Sequence, residues 1–382
     1  SQGPVSLNFF SSHIESAVNE SLIQARIDIG ETNLTWAGWD RSFDIRLINT
    51  KVIGANNSII AKVPEMSVSV SLPALLRGTF SPTRVDLIGP RLRIFRSAAG
   101  EFFTTLDETT KLSSKRVGGV IATLSTPTQK TGVLRYLKHF SILDAKLDLD
   151  DRVTGLKWGL SKTNFLISRN EKKIRASLSA DFDTDEFPSR FMAKMNLIAG
   201  AREADINLVI DKIPVDRLAT SFPSLEFLQV LPIAVSGKID ARISFESGIR
   251  DAKFKIYSRG GIISKDDFWP KDISIADLNV RGKFENDPAS IEIKHLALKL
   301  DGAEVMLAGS AIAVDEGITI DGRSSINTFD ISRLKEFWPS DFKKAPRRWL
   351  IKNMISGQAE DIKTSFSIRI PNLREPGVIV DS

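Results

Sequence analysis

Three histidines, His13, His139 and His295, are the only imidazoles among 382 residues, and they fall in three unrelated segments. Imidazole chemistry needs its partners close by, as when two histidines one helical turn apart hold a zinc ion. No such spacing occurs, and neither a Gly-x-Ser-x-Gly nucleophile elbow nor a glycine-rich phosphate loop is present. Cysteine is absent, which removes disulfides, thiolate ligands and thiol nucleophiles together. Gly118-Gly119 lacks the strand–loop–helix setting that phosphate binding requires. Asp148, Asp150 and Asp151 could gather a divalent cation. Asp148 and Asp150, however, alternate with Leu147 and Leu149, so they read as solvated carboxylates on the wet face of a strand. The residue types point to a protein that is not an enzyme and has no cofactor and no metal.

Composition narrows the partner. Hydrophobic residues make up 42% and charged residues 26%, which is ordinary for a folded chain. The net charge of +5 is small against 52 basic and 47 acidic side chains. Tyrosine is nearly missing, with 2 residues against 22 phenylalanines, and no basic aromatic motif forms a base-stacking platform. Nucleic acid is therefore not an expected partner. No run approaches the roughly 18 to 20 apolar residues of a membrane-spanning helix. The opening Ser1-Gln2-Gly3-Pro4 is neither a methionine start nor a leader, so a targeting segment upstream is expected.

The elements follow from hydrophobic period. Phe9, Phe10, Ile14, Ala17, Val18 and Leu22 recur at three- and four-residue steps and predict an amphipathic helix from Leu7 to Ile23. From there the period drops to two. Ile27 and Ile29 alternate with polar residues, as do Phe43, Ile45 and Leu47, then Met66, Val68, Val70 and Leu72, then Val85 and Leu87. The rhythm continues through Ile174 to Phe182, Ile206 to Ile210, Ile239 to Phe245, Leu296 to Leu300 and Phe366 to Ile370. Such alternation means strands with one apolar and one wet face. Turn residues at Gly54–Asn57, Ala99-Gly100, Asp301-Gly302, Glu316-Gly317 and Asp321-Gly322 favour antiparallel neighbours.

Short helices are predicted at Pro73–Arg77, Leu134–His139, Val215–Ser221, Ile331–Phe337 and Pro346–Met354, with Pro346 at the first helical position. Residues 1–108 read as the helix and the start of a β-groove. Residues 109–132 read as a flexible insertion or linker, and 133–382 continue the groove. Two weakly repeated modules, about 205–250 and 318–370, share a strand, short helix, loop and strand. The fold class expected is mainly β: an elongated, curled antiparallel sheet forming a groove.

A two-sheet sandwich is the competing architecture. About twenty strands at ~4.8 Å spacing would run ~100 Å side by side, and a sheet that long curls or splits. Curled lengthwise, it makes a trough that suits acyl chains, because each CH₂ removed from water gains ~0.8 kcal/mol without a directional partner. The expected lining is Ile27, Ile29, Phe43, Ile45, Leu47, Met66, Val68, Val70, Val85, Leu87, Ile206, Leu208, Ile239, Ile243 and Phe245. The first helix, through Phe9, Phe10, Ile14, Val18 and Leu22, is expected to cap one end or to rest on a membrane. The run Lys343 to Ile351 joins basic and apolar groups and suits either headgroups or a sheet rim.

Several of these segments resemble a known family. Gly3-Pro4-Val5-Ser6-Leu7 with its helix, Leu34-Thr35-Trp36, and Met66 to Leu72 followed by Pro73-Ala74-Leu75-Leu76-Arg77-Gly78 look like the start of AsmA-like proteins of the YhdP branch. Val85-Asp86-Leu87, Pro90-Arg91-Leu92 and Gly100 are similar to that branch's next strands. Phe337-Trp338-Pro339, Arg348-Trp349-Leu350, Asn353 and Gly357 resemble its central region. The resemblance covers most of the chain except Thr109 to Thr131.

What the resemblance implies is a bridge-like lipid transfer protein, anchored in the bacterial inner membrane and extending through the periplasm. It would shield phospholipid acyl chains on their way to the outer membrane. Phospholipid and the inner membrane are then the expected partners. The alternative expectation is an envelope scaffold or assembly factor that contacts other envelope proteins at its sheet edges by strand addition.

Overall fold

The computed structural model describes residues 5–6, 25–35, 43–54, 59–71, 81–96, 102–104, 136–151, 156–182, 188–221, 231–263, 271–314, 317–338, 344–370 and 379–381. It is mainly β and divides into two compact units, Ser1–Ala204 and Asp205–Ser382.

The first unit holds β1 (Val5–Ser6), β2 (Ala25–Asp28), β3 (Glu31–Thr35), β4 (Phe43–Gly54), β5 (Ile59–Val70) and β6 (Pro82–Ile88). It continues with β7 (Arg91–Arg96), β8 (Phe102–Thr104), β9 (His139–Asp151), β10 (Leu156–Arg169), β11 (Lys173–Phe182) and β12 (Ser189–Ile198). β4 pairs with β2 and β3 along its two halves, then with β5. β5 pairs with β6, and β9 to β12 follow as antiparallel neighbours.

One expectation is corrected here: the sheet is mixed. β9 runs parallel to β6 along its first half and parallel to β7 along its second. β8 is antiparallel to β7, so β9 runs antiparallel to β8 and parallel to the two strands before it.

A line of backbone breaks crosses this unit from strand to strand. Asn49 in β4 has φ +55°, opposite Pro64 of β5, which has no N–H to donate. Gly89 (φ +65°) and Pro90 separate β6 from β7, so these two strands are one strand bent in the middle. Opposite them lies Asp144 of β9 (φ +53°), and next to that Lys162 of β10 (φ +47°). At Asp144 and Lys162 the β9–β10 register shifts by a bulge, which bends a strand and raises its local twist, whereas the register runs unshifted through Asn49, Pro64 and Gly89. The breaks line up from strand to strand as a crease in backbone conformation. Leu47, Val63, Thr50 and Ala145, all beside the crease, are at most 1% exposed.

The second unit holds β13 (Glu203–Pro214, most of it within this unit), helix α1 (Val215–Ser221), β14 (Ala234–Ser244), β15 (Gly248–Ser258), β16 (Gly261–Ile263) and β17 (Ile273–Asn286). Then come β18 (Ala289–Leu300), β19 (Ala303–Val314), β20 (Gly317–Asp330), α2 (Leu334–Phe337), α3 (Lys344–Asn353), β21 (Gln358–Ile370) and β22 (Ile379–Asp381). From β14 onward each long strand is antiparallel to the next, in the ladder β14-β15-β17-β18-β19-β20-β21-β22. The Asp301-Gly302 turn is found as expected, with Gly302 at φ +83°.

α1 forms over the predicted residues and buries Val215 beside Ile233, Val235 and Ile275. The helix predicted at 331–337 is a 3₁₀ turn followed by α2. Asp330 caps the turn, its carboxylate accepting from the Ser332 N–H (2.9 Å) and Oγ (2.7 Å).

Other expectations shift. Asp321-Gly322 is no turn but the middle of β20. His139 starts β9, and among the described residues of the predicted Leu134–His139 helix only Tyr136 is helical. α3 begins at Lys344, which places Pro346 third, still within the first turn where a missing N–H breaks no bond. Phe245 lies outside β14: the Ser244 Oγ accepts from the Glu246 and Ser247 N–H groups, and that local turn ends the strand. The predicted N-terminal helix with Phe9, Phe10, Ile14, Val18 and Leu22, the insertion 109–132, the helix at Pro73–Arg77 and the Ala99-Gly100 turn lie outside the described residues.

Candidate functional site

The crossings of strand and register build the candidate site in each unit. In the first unit, Ile45, Val68, Val85, Phe140, Ile167, Ala176 and Met195 stand side by side on seven neighbouring strands. A second row, two residues along, contains Leu47, Met66, Leu87, Ile142, Phe165, Leu178 and Ala193. Paired residues share a face, so both rows lie on one side of the sheet without a polar interruption. Arg169, at the end of β10, is buried on this side; its Nε donates to the Leu137 carbonyl (2.8 Å), and burial lowers its pKa.

The second unit repeats the arrangement. One row is Ile239, Phe254, Gly282, Ile293, Gly309, Gly322 and Phe366; the next is Ala241, Ala252, Phe284, Ile291, Ala311, Ile320 and Ile368. The glycines are there for a steric reason. A Cβ on Gly282 would meet the Phe254 ring at 2.5 Å, and one on Gly322 would overlap the Phe366 ring. The tips of the aromatic rings reach over glycine on the adjacent strand and take the place of its side chain.

The degree of burial separates this face from a closed core. Phe254, Phe284, Ile293, Leu298, Ile320 and Phe366 are half-buried, neither sealed nor fully open. Fully buried apolar residues of the second unit gather mainly at one rim, where α1 packs. All three clusters of buried residues are assembled mostly from strands that are neighbours in the ladder.

The opposite face is polar. In the first unit the Asp44 carboxylate accepts from the Ser67 Oγ (2.6 Å) and Ser69 Oγ (3.3 Å), and Asp86 accepts from the Arg84 Nε (2.6 Å) and Ser141 Oγ. Ser67, Ser69, Asp86 and Ser141 are buried, so β5 is covered on both faces. In the second unit Lys238–Asp240 (3.4 Å), Arg242–Asp251 (3.8 Å) and Lys283 with Glu285 and Glu292 (both 3.2 Å) cross this face. The two carboxylates hold the Lys283 pKa above its ordinary value. Two open clefts, about 680 Å³ around Lys283, Glu292 and Asp321 and about 420 Å³ around Lys294, Arg323 and Lys363, lie on the polar side. Among the described residues no three His, Cys, Asp or Glu side chains could share a metal ion.

The predicted lining divides between the units. Ile27, Ile29, Ile45, Leu47, Met66, Val68, Val70 and Val85 come together in one cluster. Phe43 stands opposite Val70 in register, and Leu87 opposite Met66. Ile206 and Leu208 on β13, with Ile239 and Ile243 on β14, are half-buried in the second unit. Phe245 is 59% exposed in the β14–β15 turn, away from the rows. Phe140, Ile142, Phe165, Ile167, Phe254, Phe284 and Ile293 belong to the rows but were not anticipated. Their signal was present as alternation that changes phase: Phe140 and Ile142 are even-numbered, whereas Leu147 and Leu149 on the same strand are odd, and the bulge at Asp144 makes the change.

Compared with protein-family models, curated proteins and solved structures, the chain matches none. No helix among the described residues is long and apolar enough to cross a membrane.

Proposed function

We propose that this protein is a lipid-binding conduit of the bacterial periplasm, shielding phospholipid acyl chains on its apolar face as they move between inner and outer membranes. The carrying observation is the pair of uninterrupted apolar rows in each unit, with most of their side chains left half-buried along the strand middles. A sandwich would seal those side chains against a second sheet, and the buried clusters are instead drawn mostly from ladder neighbours. The crease supports the curling that a trough needs. The face supplies apolar surface without a polar partner, which is what acyl chains require. The sequence resemblance to the AsmA-like family points the same way.

The test is lipid extraction of the purified chain followed by mass spectrometry, with uptake of a fluorescent phospholipid. Phospholipid is expected to copurify. Ile293→Asp with Ile320→Asp, which puts two carboxylates into the rows, is expected to weaken uptake at least about tenfold with an unchanged far-ultraviolet spectrum. Protein that is repeatedly lipid-free and takes up none sinks the reading. The scaffold alternative has less support, because the described outer strands β1 and β22 have 2 and 3 residues and offer little edge for strand addition.

A further inference from the structure

Helix α3 presents a combination that a surface helix does not need for folding. None of its ten residues is buried. Trp349 is 62% exposed, and just past the helix Met354 and Ile355 are 39% and 78% exposed. Basic residues surround them: Lys344, Arg347, Arg348 and Lys352, with no acidic residue from Lys344 to Gly357. At 100° per residue, Arg348, Lys352, Ala345 and Trp349 share one arc, while Arg347, Leu350 and Ile351 occupy the other. The second arc is the half-buried one, and there the Arg347 Nε donates to the Trp338 carbonyl at 3.3 Å. The exposed arc therefore holds an indole flanked by two cations, and Arg348 and Lys352 form no ion pair among the described residues.

We infer that α3 is a docking element for an anionic lipid bilayer, lying in the headgroup plane with Trp349 and Ile355 in the interface. Charge complementarity selects this occupant. An indole has an apolar body and a polar N–H and sits at headgroup level, while Arg348 and Lys352 meet lipid phosphates. Binding is expected to be weak, reversible and salt-sensitive, because a single short helix carries it. The inference goes beyond the proposed function and does not need the apolar rows to hold lipid: a chain that takes up no phospholipid can still dock, and a chain that does not dock can still carry lipid.

The experiment is co-sedimentation of the full chain with vesicles of phosphatidylcholine alone or of phosphatidylcholine mixed with phosphatidylglycerol, whose negative surface potential attracts basic segments. Binding is expected only to the anionic vesicles and is expected to be lost as salt rises toward about 0.5 M. Arg348→Glu with Lys352→Glu is expected to lower the partition coefficient at least about tenfold, and Trp349→Ala several-fold. Lys253→Glu with Lys255→Glu makes the same change in net charge on the exposed polar face of β15 and is expected to leave binding near the unmodified level. No binding to anionic vesicles, undiminished binding by the α3 variants, or equal loss in the β15 variant each overturns the inference.

Discussion

At the residue scale, the second unit depends on small positions that larger neighbours cover. Phe366 lies over Gly322, and Phe254 over Gly282, in one row of the apolar face. Gly322→Val would drive a branched side chain into the Phe366 ring, and overpacking of this kind costs typically about 1–3 kcal/mol. The expected result is a lower denaturant midpoint for Gly322→Val, partly restored by adding Phe366→Ala, which opens the space. A fully tolerated valine would mean that the ring moves freely and does not define the row. This position also shows what a sequence leaves open. Asp321-Gly322 reads as a turn because glycine is common in turns, yet glycine also appears in strands where another group approaches closely. Only the aromatic ring on the next strand distinguishes the two, and it is distant in sequence. Phe245 failed in the opposite sense: its alternation continued past a strand that Ser244 had already ended through its own hydroxyl.

At the scale of elements, the strands themselves were legible, since period-two alternation follows directly from a sheet with one apolar face. The bends were not read, although their trace is present in the change of phase along β4, β9 and β10. Pro64 was the plainest mark, because a proline in mid-strand must face a place where no ladder hydrogen bond is needed. Asn49 opposite it adopts φ +55°, a conformation that asparagine tolerates and β-branched residues do not. Asn49→Val is therefore expected to destabilise the first unit by about 1–2 kcal/mol, whereas Asn49→Gly stays within about 1 kcal/mol of the original. Unfolding midpoints check the pair, with amide exchange at Ile48 and Thr50 locating the change. Equal midpoints for valine and glycine would mean that the crease does not depend on its left-handed residues. The parallel pairing of β9 lay beyond reach for a different reason: turn residues report the short connections, and a long connection carries no local sign of which end of the sheet it returns to.

At the scale of the molecule, the arrangement of contacts sets how it unfolds. Strand after strand touches mainly its two ladder partners, and buried clusters form among neighbours rather than around one central core. Stability in such a chain is a sum of local interface terms, as in repeat proteins, and cooperativity reaches only as far as those interfaces couple. A two-layer domain of similar size would lose its core all at once. Denaturant unfolding is therefore expected to give non-coincident transitions when followed by tryptophan fluorescence and by far-ultraviolet circular dichroism. Hydrogen exchange is expected to show graded protection, lowest in the short outer strands and highest beside the crease, where Leu47 and Ala145 are 0% exposed. Gly322→Val sharpens the test: its destabilisation should reduce protection in β19, β20 and β21 while leaving β4, β5 and β6 unchanged. A single coincident transition, with protection falling equally in both units, would show that a shared core couples strands far apart in the ladder. Such a core needs the apolar rows closed against one another, so the same result would leave no free apolar face for a lipid.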